Sequence, residues 1–175
     1  EGKVISKTSF WDEKQSNIYT SNTIEIYKIF QGDIINLNSV EIITPGGQVG
    51  MNMQVVNPSL QLNKGDIGVF FMKKNEIELG NARKENTLYL FPTSAGQSFI
   101  KYDFNSGVAS GPFKSYKRIN EDIYSVIETT TQKSYNNISS FNFKKEAQQY
   151  NTSLNKSITG FTPSTITAGT ESILT

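Results

Sequence analysis

The sequence predicts a mainly β fold with a few helices (α+β): an antiparallel β-barrel or sandwich, OB-like barrels among its forms, with one or two C-terminal helices. Three observations carry this. Short runs of β-formers are each stopped by Gly, Pro, Asn or Asp. Those stops recur about every ten residues over the first two thirds of the chain, the spacing of antiparallel barrels and sandwiches. After Ile119 the apolar spacing changes from alternation to a helical period.

Taken in order, Glu1–Ser9 opens extended around Val4 and Ile5 and ends at Phe10-Trp11. The polar run 12–17 follows as a turn. Trp11 reads as a core or rim aromatic, or as a platform for a stacked ligand. Ile18–Phe30 is the longest strand candidate, with Ile18, Thr20, Ile24, Ile26 and Phe30 on one face and Tyr19, Tyr27 and Ile29 on the other. Gln31-Gly32-Asp33 closes it, and Ile34–Asn38 leads on.

The stretch Glu41–Met72 organises the fold. It reads as strand Glu41–Thr44, a Pro45-Gly46-Gly47 turn, a strand at Gln54–Val56, a break at Asn57-Pro58, alternation at Leu60-Gln61-Leu62, a turn at 63–66, and an apolar strand Ile67–Met72 among the most buried segments. Further strands are expected at Ile77–Leu79, Thr87–Phe91, Ser98–Phe104 and Val108-Ala109. Asn120 then reads as a helix cap, with Glu121 and Asp122 at the positive end of the dipole. Ile123, Val126, Ile127 and Thr130 fall on one face. A second helix over about Ser140–Tyr150 would dock Phe141 and Phe143.

The chain has 175 residues, 36% of them hydrophobic, and suits one domain with a piece of another. Burial of ~70% of the unfolded surface at this size supports a real core. The net charge of +1 attracts neither nucleic acid nor anionic membrane. There is no Cys, which removes disulfides and thiolate chemistry, and no His, which removes the usual general base and metal ligand. No apolar run is long enough for a membrane-spanning helix. The opening at Glu1 rather than Met reads as a processed or trimmed segment.

Gly46-Gly47-Gln48-Val49-Gly50 follows a strand, as a phosphate loop would, but an extended pattern follows it where a helix N-terminus is needed. A turn is the plain reading and a ligand-contacting loop the alternative. The acidic pairs Asp12-Glu13, Glu76/Glu78 and Glu121-Asp122 lack calcium-loop spacing and read as solvated charge. Lys64, Lys73, Lys74, Arg83 and Lys84 form the most basic region, without the exposed aromatics that single-stranded nucleic acid needs. No catalytic residue, cofactor or metal site is expected. Trp11, Tyr19, Gly46, Gly47 and Gln48 are the candidate ligand contacts.

EGKVISKTSFWD, IYTSNTIEIYKIFQGD and ITPGGQVGMNMQVVNPSLQLNKGDIGVFF together resemble a bacterial extracellular β-barrel module, often from the Bacteroidetes. Such modules stand near the N-terminus of secreted proteins, some with matrixin-like zinc metalloprotease domains. The likeness covers roughly residues 1–104, with Gln31-Gly32 in place of the usual Lys-Gly. GFTPSTITAGTESILT is similar to the opening of a TIG/IPT immunoglobulin-like domain, through Pro163, Ala168, Gly169, Thr170, Leu174 and Thr175. The organisation implied is a β module with helices over 1–150, a linker over 151–162 and the first strands of an incomplete TIG/IPT domain over 163–175. The resemblance implies a secreted or cell-surface protein, exported by type IX secretion. In it a non-catalytic module binds, spaces or positions neighbouring domains of the same polypeptide, with adhesion as one setting and a protein or glycan as the further ligand. Two other readings stand beside it: an accessory or propeptide-like region of a zinc metalloprotease, and a carbohydrate-binding module.

Overall fold

The computed structural model describes residues 1–32, 37–74, 87–142, 144–149 and 152. Its strands in chain order are β1 (Gly2–Trp11), β2 (Ile18–Ile26), β3 (Lys28–Ile29), β4 (Ser39–Pro45), β5 (Gly47–Val49), β6 (Asn52–Gln54) and β7 (Ile67–Phe70). There follow β8 (Met72–Lys74), β9 (Tyr89–Pro92), β10 (Phe99–Asp103), β11 (Val108–Ser110) and β12 (Ser115–Tyr116), then helix α1 (Tyr124–Thr131) and β13 (Asn136–Asn137). The fold is mainly β and sandwich-like, as the alternating runs require. Nine strands form one sheet in the order β12-β11-β10-β7-β1-β2-β4-β9-β8. Among the described residues its ends do not pair to close a barrel.

β1, β2 and β4 are the long central strands, and their register sorts the side chains. Val4 faces Ile24, Lys7 faces Asn22, Ser9 faces Thr20 and Trp11 faces Ile18; a bulge between Val4 and Ser6 puts Ile5 out of step. Across β2, Ile24 faces Val40, Asn22 faces Ile42 and Thr20 faces Thr44. Because paired residues share a face, this inner face is apolar at one end and polar at the other. The apolar end, Val4, Ile24, Ile26, Val40 and Ile42, packs with Leu60, Leu62 and Phe99 into the core. Full burial of each such side chain contributes about 2 kcal/mol. A smaller cluster on the opposite face joins Ile43 and Phe91 with Phe10, Tyr19 and Tyr89.

Several expectations shift. The strand predicted over Ile18–Phe30 stops at Ile26 and restarts as β3, because Tyr27 turns inward, 4% exposed, and its carbonyl accepts the Ile138 and Ser139 amides. Ile67 and Val69 are deeply buried, but the predicted strand breaks at Phe71, which is 40% exposed. Gln54 ends β6, and Val55–Leu62 is an irregular wall, bent at Asn57-Pro58, rather than strand, although Leu60 and Leu62 anchor in the core. β4 and β9 run parallel where antiparallel pairing is expected. The turn at 63–66 forms as read: Asp66 Oδ2 accepts the Asn63 amide at 2.8 Å, and Lys101 pairs with Asp66 at 2.7 Å.

Helix α1 begins with a π-type turn, Ile119–Ile123, whose cap position is Arg118 rather than Asn120. Asp122 caps it by accepting the Arg118 amide at 3.1 Å and the guanidinium at 2.9 Å. Ile119 and Ile123 are buried, whereas Val126 is 40% exposed, so the helix docks through its first turn and not along the whole predicted face. Glu1–Phe141 forms one compact unit, and Asn142–Thr175 a second. In the second, residues 144–149 are helical, and Asn142 Oδ1 accepts the Lys145 amide. Expectations for Ile34, Ile77–Leu79, Arg83, Phe143 and the 163–175 strands lie outside the described residues.

Candidate functional site

Two polar constructions stand out in the Glu1–Phe141 unit, and only one is open. The closed one is built on Glu1. Its α-ammonium donates to the Lys28 carbonyl at 2.7 Å, and its carboxylate meets Lys28 Nζ at 2.9 Å. Tyr102 Oη donates to the same carboxylate at 2.7 Å, and Tyr124 Oη also donates to it. Lys28 Nζ lies 5.2 Å from the ring centres of Tyr124 and Phe141 and 5.8 Å from that of Tyr135. Burial pulls the α-amine down to about 6, with Lys28 nearby adding to the fall. Burial, then the adjacent Glu1 carboxylate, pushes the Tyr102 and Tyr124 hydroxyls well above their ordinary value. The Glu1 carboxylate and the Lys28 ammonium pair with each other, so the cluster ties Glu1 to β10 and α1.

The open one is a cleft of about 530 Å³ over the polar end of the inner face, within the size range of ligand sites. Its floor is Lys7 and Ser9 of β1, Thr20 of β2 and Thr44 of β4. The β5–β6 hairpin crosses one side and Val55–Leu62 forms the other. Gly46 and Gly47 bring the hairpin down onto the sheet. A Cβ on Gly47 would lie 2.4 Å from both Ser9 Oγ and Thr20 Oγ1, and φ there is +143°.

One directed chain of hydrogen bonds locks that approach. The Gln48 amide donates to Ser9 Oγ at 3.2 Å, Ser9 lies 3.0 Å from Thr20 Oγ1, and Thr20 donates to the Gly46 carbonyl at 2.7 Å. Thr20's proton goes to that carbonyl, so Ser9 supplies the proton between the two hydroxyls. Among the described residues no base takes the Ser9 proton, and a base there is what a serine nucleophile would need. Gln54 Oε1 accepts the Ile18 amide at 2.5 Å and pins the far end of the hairpin.

Lys7 is the one charged residue among those lining the cleft. Its ammonium donates to the Leu62 carbonyl. Below the floor, Asn22 is fully buried and donates to the Thr20 and Ile42 carbonyls and to Thr44 Oγ1. Its Oδ1 has no partner among the described residues.

The structure brings Gly46, Gly47 and Gln48 together on the cleft and leaves Trp11 and Tyr19 off it. Tyr19 lies on the opposite face, stacked 6.1 Å from Phe10, and Trp11 is half-buried at the end of β1. Sequence reasoning missed Lys7, Ser9, Thr44 and the Val55–Leu62 wall. The available signal was Thr20 and Asn22 interrupting a face that is otherwise Ile18, Ile24 and Ile26. No protein-family model, curated protein or solved structure matches the chain.

Proposed function

We propose that this chain is a non-catalytic binding and positioning β module of a secreted or cell-surface bacterial protein. The observation that carries the reading is the cleft. It is walled by hydroxyls, amides, main chain and apolar side chains around a single lysine, which is the chemistry of holding a ligand rather than transforming it. The extracellular setting rests on the sequence motifs of the β module and of the TIG/IPT-like end. Glycan recognition by stacking on Trp11 and Tyr19 draws no support from the cleft, which neither ring lines.

The test is a panel of peptidase, glycosidase, esterase and phosphatase substrates, with the chain compared against Ser9→Ala. No turnover above background in either protein is the expected result. Turnover that Ser9→Ala abolishes would overturn the module reading.

A further inference from the structure

Strand β1 is paired along its length on one edge and only at its start on the other. β2 covers it from Gly2 to Trp11, whereas β7 meets it at Gly2 and Lys3 alone, and Val4 bonds to the turn before β7. The bonds of β2 show where the remaining groups point. The Gly46 amide donates to the Ile18 carbonyl, and the Ile26 amide donates to the Asn38 carbonyl. The even residues of β2 therefore turn their backbone toward β4 and the odd ones toward β1. Tyr19, Ser21 and Thr23 stand opposite Phe10, Thr8 and Ser6, so those three residues of β1 bond to β2. Lys7, Ser9 and Trp11 point their N–H and C=O groups off the sheet. Among the described residues none of these backbone groups has a partner.

A bulge or an outward lysine commonly guards such an edge. Here the bulge lies before Ser6, and the Lys7 ammonium is bound to the Leu62 carbonyl. The open stretch is regular strand, with Lys7 and Thr8 exposed and Ser9, Phe10 and Trp11 half-buried. It is a template for one more antiparallel strand.

The stretch supplies its own complement. A two-fold axis through Ser9 sets Ser9 against Ser9, Lys7 against Trp11 and Thr8 against Phe10 of a second copy. The one charge in the stretch then meets an indole rather than another lysine. The same register brings the 12–17 turn of each copy alongside the 63–66 turn of the other, because the latter flanks Val4. In the first turn Asp12 and Glu13 outnumber Lys14. In the second Asp66 is tied to Lys101, which leaves Lys64 as the available charge. Glu13 and Lys64 are both exposed and have no ion-pair partner among the described residues. The two turns attract each other, twice over by symmetry.

We propose that two copies of this chain associate edge to edge through β1, antiparallel about Ser9, so that their sheets continue as one. This goes beyond the binding-module reading and is independent of it.

The pairing area is small, so the dimer is a weak one, read at high concentration. Sedimentation of the whole chain at low salt, from about 10 µM to about 1 mM, should show monomer passing to dimer. Residue-resolved amide exchange on the same samples locates the interface. Ser6, Thr8 and Phe10 should exchange slowly at every concentration. Lys7, Ser9 and Trp11 should slow severalfold only as the dimer forms. Glu13→Lys sets like charges together in both turns and should weaken the dimer about tenfold. Combining it with Lys64→Glu restores opposite charges and should bring the affinity back to within about threefold of the original. Both are exposed turn positions, so neither change touches the core.

A chain that stays monomeric at about 1 mM would overturn the proposal. So would a dimer in which Lys7, Ser9 and Trp11 still exchange freely, or one indifferent to the charge reversal. Protection of those three amides that does not change with concentration would also overturn it, since the chain would then be covering its own edge.

Discussion

Glu1 is the residue on which the most chemistry converges. Its carboxylate is the only acid bonded to the buried Lys28 ammonium among the described residues. Removing one partner of a buried pair leaves the other charge uncompensated, at a cost of about 3–5 kcal/mol, whereas removing both with good packing is far milder. For a chain that begins at residue 1, Glu1→Ala should lower stability by about 3 kcal/mol in urea unfolding. Combining it with Lys28→Met should cost clearly less than the sum of the two single changes; additivity would show that the pair is not coupled. The α-amine gives a pH signature. Its ordinary value is 8.0 and burial lowers it to about 6, so the unfolded chain holds this proton more tightly than the folded one. Unfolding therefore takes up a proton between about pH 6 and 8, and stability rises with pH across that window. With no His or Cys in the chain, few other groups titrate there. Urea midpoints measured at both ends of the window check the slope, and a flat or falling profile would refute it. None of this network is legible in the sequence, because its members lie up to 123 positions apart.

Among the elements, two glycines set how closely strands approach. A Cβ on Gly68 would stand 2.0 Å from the Ile100 carbonyl, inside the β7–β10 ladder, where backbone cannot give way cheaply. Gly68→Ala should cost more than about 2 kcal/mol, within the range of disruptive core changes. Gly96→Ala, with open space around it, should cost less than about 1 kcal/mol, and the difference between their melting midpoints tests the contrast. Gly47→Ala should loosen the hairpin with a smaller loss of global stability, detectable as faster amide exchange at Gln48. The turns at 12–17, 45–47 and 63–66 are legible in the sequence because Pro, Gly, Asn and Asp act locally. The cap of α1 is misread for an equally local reason: Asp122 reaches back to Arg118, and the helical turn starts at Ile119, one residue before Asn120. Gly46, Gly47 and Gln48 are found from a turn signal. Ser9 and Thr44 are missed because a lone hydroxyl in a strand looks the same whether it faces water or a cleft.

Across the whole molecule, fold class is legible and strand order is not. Alternation and turn spacing report that strands exist, but β7 lies beside β1 and β4 beside β9 through packing that no local window contains. The same order sets a gradient of protection. Amides of β2, paired on both edges and backed by the core, should exchange far more slowly than those of Val55, Val56 and Gln61, whose backbone has no partner among the described residues. Equal protection of the two would contradict the open wall. The Glu1 network also has a consequence for biosynthesis. The carboxylate waits for Tyr102 and Tyr124, 101 and 123 positions downstream. On a ribosome adding about 5–20 residues per second, that is a delay on the order of ten seconds. During that interval the nascent chain holds β1, β2 and β3 without the rings that later cover Lys28. A product truncated before Tyr124 lacks the Tyr124, Tyr135 and Phe141 rings that stand by that ammonium, a difference on which chaperones and proteases can act.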